Sequence, residues 1–426
     1  MIYLPILLLF VLYFLGIPIA YALFGSAIFY FTFFDSGMPP DLVLQKFITA
    51  TASFPLLAIP FFVMAGSVMN YSGISKKLMQ MAEVLTGHLI GGLAQVNVVL
   101  STFMGGVSGS ANADAAMQSK ILVPQMEQQG YSRRFSAAIT AASSAISPVI
   151  PPGIVLIIYA LIAQVSIADL FIAGYVPGLL MAGALMITVS LISHHRKYKP
   201  SRDKRASWRE IGSQLVDSIW SLSLPFGVIL GLRFGLFTPT EAGAIAVLAS
   251  ILIGVFVYKE LRFKHIKPIL LDTIYGTGTV VLIIVSASVF GYYLTWERIP
   301  QDLTAMLLDF TSNKYLMLGV INVFLLLVGM ILEGGAALII LAPLLVPVVV
   351  ALGVDPIHFG MIMIVNIMIG GITPPFGTLM FTTCSVTKVP VGEFMREIWP
   401  FIIALLIALV IVTYLPAIIL FLPSIL

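Results

Sequence analysis

Two short stretches of the chain combine prolines, glycines and hydroxyl side chains within apolar sequence. The first, SPVIPPG, covers residues 147–153, and the second, GGITPPFGT, covers residues 370–378. Proline and glycine interrupt membrane helices, and the carbonyl groups freed there need polar partners because hydrocarbon offers none. Backbone carbonyl, hydroxyl and carboxamide oxygens are the ligands that a hard cation such as Na+ takes. The two stretches therefore predict cation sites built from unwound backbone.

A glycine-rich segment precedes each of these stretches and predicts a hairpin that turns within the membrane. Residues 88–128 contain an apolar helix, the tip GGVSGSANAD and a second helix, and residues 314–351 repeat this pattern around GMILEGGAA. The second helices are predicted to begin near Asn112 and Gly335, where the positive end of a helix dipole can hold a carboxylate. A substrate is thus predicted between the two tips.

The candidate ligands come from the two tips and the two interrupted spans. The first cation site is predicted to use side-chain and carbonyl oxygens of Ser108, Ser110, Asn112, Ser147, Pro151 and Gly153. The second is predicted to use Glu333, Gly334, Gly335, Thr373, Gly377 and Thr378. The predicted substrate contacts are Ala111, Asn112, Asp114, Pro152, Gly335 and Pro375.

Several of these residues have a structural interpretation as well. Small residues and prolines in membrane helices commonly serve close packing or a kink. Asp114 could cap the second helix of its hairpin by accepting backbone N–H bonds instead of contacting a ligand. Glu333 could lie exposed near an outer vestibule. Arg233 is expected to extend its charged end toward the membrane surface.

The composition predicts which elements position these residues. Hydrophobic residues make up 59% of the chain and charged residues 10%, against about 25% charged in soluble domains. Apolar segments of the length needed to cross a bilayer recur along the chain without strand-like alternation. We therefore expect an all-α polytopic membrane protein, in which the lipid bilayer is the surrounding partner. The single Cys384 excludes an internal disulfide.

An internal repeat predicts two halves. One constant shift, which we call the repeat offset, places Pro151–Pro152 on Pro374–Pro375, Gly130 on Gly353 and Pro177 on Pro400, and such a shared register is a fold-defining signal. The predicted boundaries are a first repeat at 1–195, with its hairpin at 88–128 and broken span at 135–165; a linker and interfacial helix at 196–219; and a second repeat at 220–426, with its hairpin at 314–351 and broken span at 358–383.

The charge distribution predicts the orientation of these halves. The stretch HHRKYKPSRDKRASWRE, residues 194–210, is strongly basic and is expected on the cytoplasmic side. Threading the chain from it places most of the 22 lysine and arginine residues in the cytoplasm and both termini in the periplasm. Each half then has five crossings and one re-entrant hairpin. Because five is odd, the halves are inverted repeats, an architecture typical of secondary transporters.

The tip GGVSGSANADAA, the stretches SPVIPPG and GGITPPFGT, and the basic linker together resemble the large membrane subunit of tripartite ATP-independent periplasmic (TRAP) transporters. The resemblance covers essentially the whole chain, and the sialic-acid branch is the most similar. It implies an elevator-type transporter in a bacterial inner membrane, driven by Na+. It also implies two separate partners: a small four-helix membrane subunit, and a periplasmic binding protein that delivers an organic acid.

Other functions have less support in the sequence. The chain contains no H-E-x-x-H or G-x-S-x-G motif that would support an intramembrane enzyme, and no phosphate-binding loop that would support an ATP-driven pump. A channel or a proton-coupled exporter of similar architecture remains open, as does a proton-coupled or C4-dicarboxylate carrier. Two sites rich in oxygen favour Na+, with two or more coupling ions. We expect no organic cofactor and no nucleic-acid partner.

Overall fold

The computed structural model describes residues 2–34, 40–52 and 54–425, and within these ranges the chain is helical with no β-strand. The prediction of an all-α protein is confirmed. Seven helical segments of the described ranges are long and apolar enough to cross a membrane by length and composition, beginning with Ile167–Arg196 and ending with Val391–Tyr414.

The helices of the first half are numbered in chain order. They are α1 (Leu4–Phe14), α2 (Ile19–Phe33), α3 (Pro40–Thr51), α4 (Ala58–Tyr71), α5 (Ile74–Thr86), α6 (Gly92–Ser108), α7 (Ala111–Gln128), α8 (Arg133–Ser144), α9 (Ile154–Ala163) and α10 (Ile167–Arg196).

The second half begins after a polar linker. Its helices are α11 (Trp208–Arg233), α12 (Pro239–Leu252, continued by a wider turn at Ile253–Val257), α13 (Ile266–Trp296), α14 (Ile299–Phe310), α15 (Lys314–Ile331), α16 (Gly334–Ala351), α17 (Pro356–Ile372), α18 (Thr378–Thr387), α19 (Val391–Tyr414) and α20 (Pro416–Ile425). The predicted interfacial helix and the start of the second repeat at 220 both lie within α11, which is unbroken.

The N-terminal helices α1 and α2 form an antiparallel pair. The carbonyl of Ile2 accepts a hydrogen bond from the Tyr293 hydroxyl, and the ring of Tyr30, near the end of α2, lies 4.7 Å from the ring of Tyr293. The start of α1 and the end of α2 therefore lie close together, beside Tyr293. With 11 and 15 residues, these helices are shorter than the roughly 20 residues of a full crossing. The count of five crossings in the first half stays a prediction.

The repeat offset also relates helix boundaries. The shift that moves Pro151 onto Pro374 moves the bounds of α7 onto those of α16, and it moves α6 onto α15 to within one residue. The peptide bonds Pro151–Pro152 and Pro374–Pro375 are both cis. The inversion of the two halves and their elevator motion stay predictions.

The two hairpins, α6–α7 and α15–α16, extend from opposite ends of α10. At the end of the first hairpin, the Tyr131 hydroxyl donates to the carbonyl of Lys199, just after α10 (3.2 Å). Burial raises the pKa of the Tyr131 hydroxyl to about 12. At the end of the second hairpin, the carbonyl of Pro356 accepts from Tyr159 of α9, just before α10 (2.6 Å). The tips meet between these two ends.

Buried asparagines join each hairpin to the interrupted span that follows it. Asn97 of α6 donates to the Thr140 hydroxyl of α8 and accepts from the Ser143 hydroxyl, both at 2.7 Å. Asn366 of α17 donates to the side-chain oxygen of Asn322 of α15 at 2.8 Å. Buried amide groups need such partners because they are cut off from water. Each hairpin and its broken span therefore pack as one unit.

A carboxylate on α19 joins three helices near the basic linker. Glu397 is 6% exposed and accepts from Arg134 of α8 (2.9 Å) and Arg196 of α10 (2.7 Å). We expect Glu397→Gln to lower the free energy of unfolding by about 1.5–3 kcal/mol, the range for hydrogen bonds to charged groups, since both arginines lose their anion. Thermal unfolding in detergent measures this loss. The exposed Glu393 on the same helix supplies the control Glu393→Gln; an equal change in both variants would contradict the prediction.

Candidate functional site

A central cavity of about 190 Å³ lies between the two hairpin tips. The interrupted spans and α13 complete its walls. Seven of the residues predicted from the sequence line it: Ser110, Ala111, Asn112, Glu333, Gly334, Gly335 and Thr378. The structure therefore brings together two tips that belong to opposite halves of the chain.

The first hairpin tip packs directly against the first interruption, residues 145–153. Gly109 has φ +55°, and a Cβ there would lie 2.9 Å from the Pro152 carbonyl oxygen and 3.0 Å from the Gly153 Cα. A Cβ on Gly105 would lie 2.9 Å from the Ser147 carbonyl oxygen. Glycine allows this approach because it lacks a Cβ. Backbone oxygens of the interruption thus face the tip, behind the cavity wall.

Two hydroxyl groups predicted for the first cation site donate to backbone carbonyls of α6. Ser108 donates to the Met104 carbonyl (3.4 Å), and the fully buried Ser147 donates to the Ser101 carbonyl (3.1 Å). A hydroxyl that donates in this way keeps its lone pairs available to a cation. Ser108, Ser147, Pro151, Pro152 and Gly153 lie around the first interruption and are not among the residues that line the cavity.

The second interruption, residues 373–377, has a similar cluster of backbone oxygens. A Cβ on Gly377 would lie 2.4 Å from the Gly371 carbonyl oxygen and 3.0 Å from that of Thr373. The Thr373 hydroxyl donates to the Ile369 carbonyl within its own helix (2.7 Å). Pro375 is exposed and does not line the cavity.

Glu333 is exposed and caps α16. Its carboxylate accepts from the amides of Gly335 (3.0 Å) and Ala336 (3.2 Å). The sequence indicated that this helix start could hold a substrate carboxylate near Gly335. In the structure the chain's own carboxylate already bonds that amide, so the α16 terminus is closed to an anion in this arrangement.

The start of α7 differs from that of α16. Ser110 is its cap residue, and the Ser110 hydroxyl accepts from the Ala113 amide at 3.4 Å. The amides of Ala111 and Asn112 have no acceptor within the described part of the chain. The Asn112 side-chain oxygen accepts from Thr382 of α18 (3.1 Å). Unpaired amides at a helix N-terminus attract anions. The N-terminus of α7 can therefore bind an anion, whereas that of α16 is occupied by the Glu333 carboxylate.

Asp114 lies inside the first hairpin and not at the cavity. It is 1% exposed and accepts from the Ser101 hydroxyl (2.8 Å) and the Gln118 amide nitrogen (2.7 Å). Its partners are side chains, so it does not cap α7 through backbone bonds. No lysine, arginine or histidine pairs with it among the described residues. The sequence placed Asp114 near the tip but carried no signal for these partners.

The helix α13 was not predicted from the sequence to line the site, but it contributes Thr279, Val280 and Ile283 to the cavity wall. The run TIYGTGT, residues 273–279, places glycines and hydroxyl residues in an otherwise apolar span and was the available signal. No lysine, arginine or histidine of the described ranges lines the cavity. Arg233 forms an ion pair with Asp169 (3.1 Å), away from the cavity.

Comparison with known proteins adds to this geometry. Residues 6–418 match the family model described as "Tripartite ATP-independent periplasmic transporter, DctM component". The sialic acid TRAP transporter large permease SiaM of Vibrio cholerae is 36% identical over 413 residues, 97% of this chain and 96% of SiaM. The C4-dicarboxylate TRAP transporter large permease DctM of Rhodobacter capsulatus is 34% identical over 425 residues, 96% of each chain.

A solved structure shares the fold at low sequence identity. The YdaH transporter of Alcanivorax borkumensis superposes with a TM-score of 0.64 and 15% identity, over 87% of this chain and 86% of YdaH. This likeness concerns the helical architecture alone.

Proposed function

This chain belongs to the DctM family of large permeases of tripartite ATP-independent periplasmic transporters, and we propose that it imports an organic monocarboxylate, sialic acid foremost, together with Na+. As a member of that family it is a multi-pass inner-membrane transporter and not an enzyme. The family works with a small membrane subunit and a periplasmic binding protein. The predicted periplasmic position of both termini belongs to this proposal.

The charge of the central cavity is the observation that carries the proposal. The α7 terminus offers amides to a carboxylate, yet no basic side chain of the described residues lines the cavity and the exposed Glu333 does. A carboxylate substrate beside Glu333 would place two like charges close together, and they would repel each other. Bound cations near the hairpin tips would supply the missing positive charge. Substrate and Na+ would then bind together, which is the requirement for symport.

The proposed ligands follow from the two oxygen-rich interruptions. The first Na+ is assigned to the region of Ser108, Ser110 and Ser147, with carbonyls of residues 151–153. The second is assigned to the region of Thr373 and Thr378, with Gly377 and the Glu333 tip. Na+ held at both tips would also fix the hairpins against their broken spans. In the proposed elevator cycle the two hairpin units move together past α11–α13.

The two helix termini favour a substrate with one carboxylate. A C4-dicarboxylate has a carboxylate at each end and would use two anion-binding termini. Here the α16 terminus is capped by Glu333, so one terminus, at Ala111 and Asn112 of α7, is left for an anion. The hydroxyl groups of Ser110, Thr279 and Thr378 line the same cavity and suit a polyhydroxylated acid such as sialic acid.

A proton-coupled carrier is the second candidate, and Asp114 is the observation that favours it. A buried carboxylate without a basic partner is an established site of proton transfer in membrane transporters. Na+ dependence separates the two candidates.

Transport into proteoliposomes tests the coupling ion and the substrate. The vesicles hold this chain with its small membrane subunit, and the binding protein is outside. We expect radiolabelled N-acetylneuraminate to accumulate under an inward Na+ gradient and not with K+ in its place. Uptake that ignores Na+ but follows a proton gradient would support the second candidate. Preferential uptake of succinate would contradict the assignment of a monocarboxylate.

The Ser110 hydroxyl provides a test of the first cation site. We expect Ser110→Ala to raise the Na+ concentration for half-maximal uptake by about tenfold, equivalent to about 1.4 kcal/mol, because one oxygen ligand is lost. Ser166 is also the cap residue of a helix, α10, and does not line the cavity. Ser166→Ala therefore controls for the loss of a cap. Unchanged Na+ dependence in Ser110→Ala would remove this residue from the site.

A further inference from the structure

A polar cavity lies at the end of the molecule near the basic linker, apart from the central cavity. It has a volume of about 480 Å³ and lies between α5, α11 and the turn after α12. It is lined by two lysines, Lys76 and Lys77, and by two carboxylates, Asp217 and Glu260. Trp220 and Tyr258 also line it. The cavity therefore presents both signs of charge beside two aromatic rings.

The charged pairs in this cavity are open to a ligand. Lys76 lies 2.9 Å from Glu260, but their side chains are 65% and 45% exposed, and exposed pairs of this kind contribute little stability. Lys77 lies 3.8 Å from Asp217, longer than a hydrogen bond. Each of the four groups can therefore turn toward a bound headgroup at small cost.

An apolar groove continues from this cavity between α11 and α12. Trp220 lines both spaces, and the groove has a volume of about 370 Å³. It follows α12 and the start of the next turn from Ala242 to Ile253, twelve residues that span about 16 Å at the helical rise. This length is close to one leaflet, half of the roughly 30 Å hydrocarbon core. Small residues such as Gly227 form part of its wall.

We propose that the cavity and the groove together bind one phosphatidylethanolamine molecule from the leaflet on the linker side. The phosphate would lie against Lys76 and Lys77, and the primary ammonium against Asp217 and Glu260. Trp220 lies where the headgroup meets the acyl chain, the position that amphipathic aromatic rings favour in membranes. The groove would hold one acyl chain.

The charge balance selects this lipid over other common ones. Phosphatidylglycerol would neutralise the lysines but leave Asp217 and Glu260 without a cationic partner from the lipid. Phosphatidylcholine carries a positive charge but no N–H group to donate to these carboxylates. Phosphatidylethanolamine supplies both a phosphate and three N–H donors.

The site is adjacent to the transport machinery. Leu224 and Val228 line the groove, and they also line a small pocket formed by Gly106, Val107 and Pro152 at the first hairpin tip. One layer of side chains thus separates the proposed acyl chain from the tip. A lipid here would lie beside the surface along which the first hairpin is proposed to move.

Lipid retention measured by native mass spectrometry tests the acyl-chain groove. The chain is purified from bilayers containing equal amounts of phosphatidylethanolamine and phosphatidylglycerol. Gly227→Leu would fill the groove without a clash, since a Cβ at Gly227 meets no atom within 4 Å. Gly183 of α10 is equally open and lies outside the groove, so Gly183→Leu is the matched control. We expect one phosphatidylethanolamine on wild type and Gly183→Leu, and at least fivefold less on Gly227→Leu.

The headgroup assignment is tested by Asp217→Asn, which removes one partner of the ammonium. We expect this variant to retain phosphatidylglycerol at least as well as phosphatidylethanolamine. The proposal is overturned if wild type retains no lipid or shows no headgroup preference, or if Gly227→Leu retains as much lipid as Gly183→Leu. Loss of the lipid from wild type when the small membrane subunit is added would assign the groove to that subunit and overturn the lipid site.

Discussion

Gly370→Ala is expected to reduce uptake at least tenfold and to destabilise the protein by about 1–3 kcal/mol, the usual range for an overpacked core. A Cβ on Gly370 of α17 would lie 2.5 Å from the carbonyl carbon of Gly329 and 2.6 Å from its Cα. Both of these atoms belong to the backbone of α15, so no side-chain rotation relieves the contact. The second hairpin would have to move away from its broken span, which would separate the oxygens proposed to bind the second Na+.

A glycine of α10 provides a matched control. A Cβ on Gly183 would meet no atom within 4 Å, and Gly183 does not line the central cavity, so we expect Gly183→Ala to retain most of the uptake. Both variants add one methyl group and both raise helix propensity. Initial uptake rates and thermal unfolding should be measured side by side. Equal rates in the two variants would show that the contact between α15 and α17 does not limit transport.

Asp114→Ala is expected to lose uptake and to lower the free energy of unfolding by about 1–3 kcal/mol for each buried donor left unpaired. The Ser101 hydroxyl and the Gln118 amide both donate to this carboxylate and lie out of reach of water. Thermal unfolding in detergent measures the loss of stability. Ser119 is also buried on α7, and its hydroxyl has no hydrogen-bond partner among the described residues. Ser119→Ala removes a hydroxyl that is already unpaired, so it is expected to cause no loss of stability.

Asp114→Asn separates the charge of this residue from its packing. The asparagine oxygen can still accept from Gln118, so we expect the variant to fold. If the carboxylate supports Na+ binding at the adjacent tip, the variant needs more Na+ for half-maximal uptake. A loss of pH dependence at unchanged Na+ dependence would assign Asp114 to proton transfer, in line with the second candidate function.

The local course of the helices could be predicted from the sequence. The hairpin predicted at 314–351 corresponds to α15–α16 (Lys314–Ala351), and the one predicted at 88–128 to α6–α7 (Gly92–Gln128). The second helices begin at Ala111 and Gly334, one residue from the predicted starts. These features follow from neighbouring residues, because glycine and proline act on the backbone where they occur.

The pairing of side chains could not be predicted in the same way. Asn112 of the first hairpin accepts a hydrogen bond from Thr382 of α18, in the other half of the chain. Part of the wall of the central cavity comes from α13, which belongs to neither hairpin. The capping of α16 by Glu333 was within reach, because a carboxylate directly before a helix commonly caps it. The other role predicted for Glu333, as a cation ligand, stays a prediction.

The sequence by itself determined the positions of the two interruptions, the starts of α7 and α16, the repeat offset and the family. Apolar length, proline and glycine encode these features locally. Only the tertiary structure decided that the two tips meet in one cavity, that α16 is closed to an anion while α7 is open, and that Asp114 lies inside the hairpin. Such outcomes depend on which distant groups come within hydrogen-bond distance when the helices pack, and a linear pattern of residue types does not specify those distances.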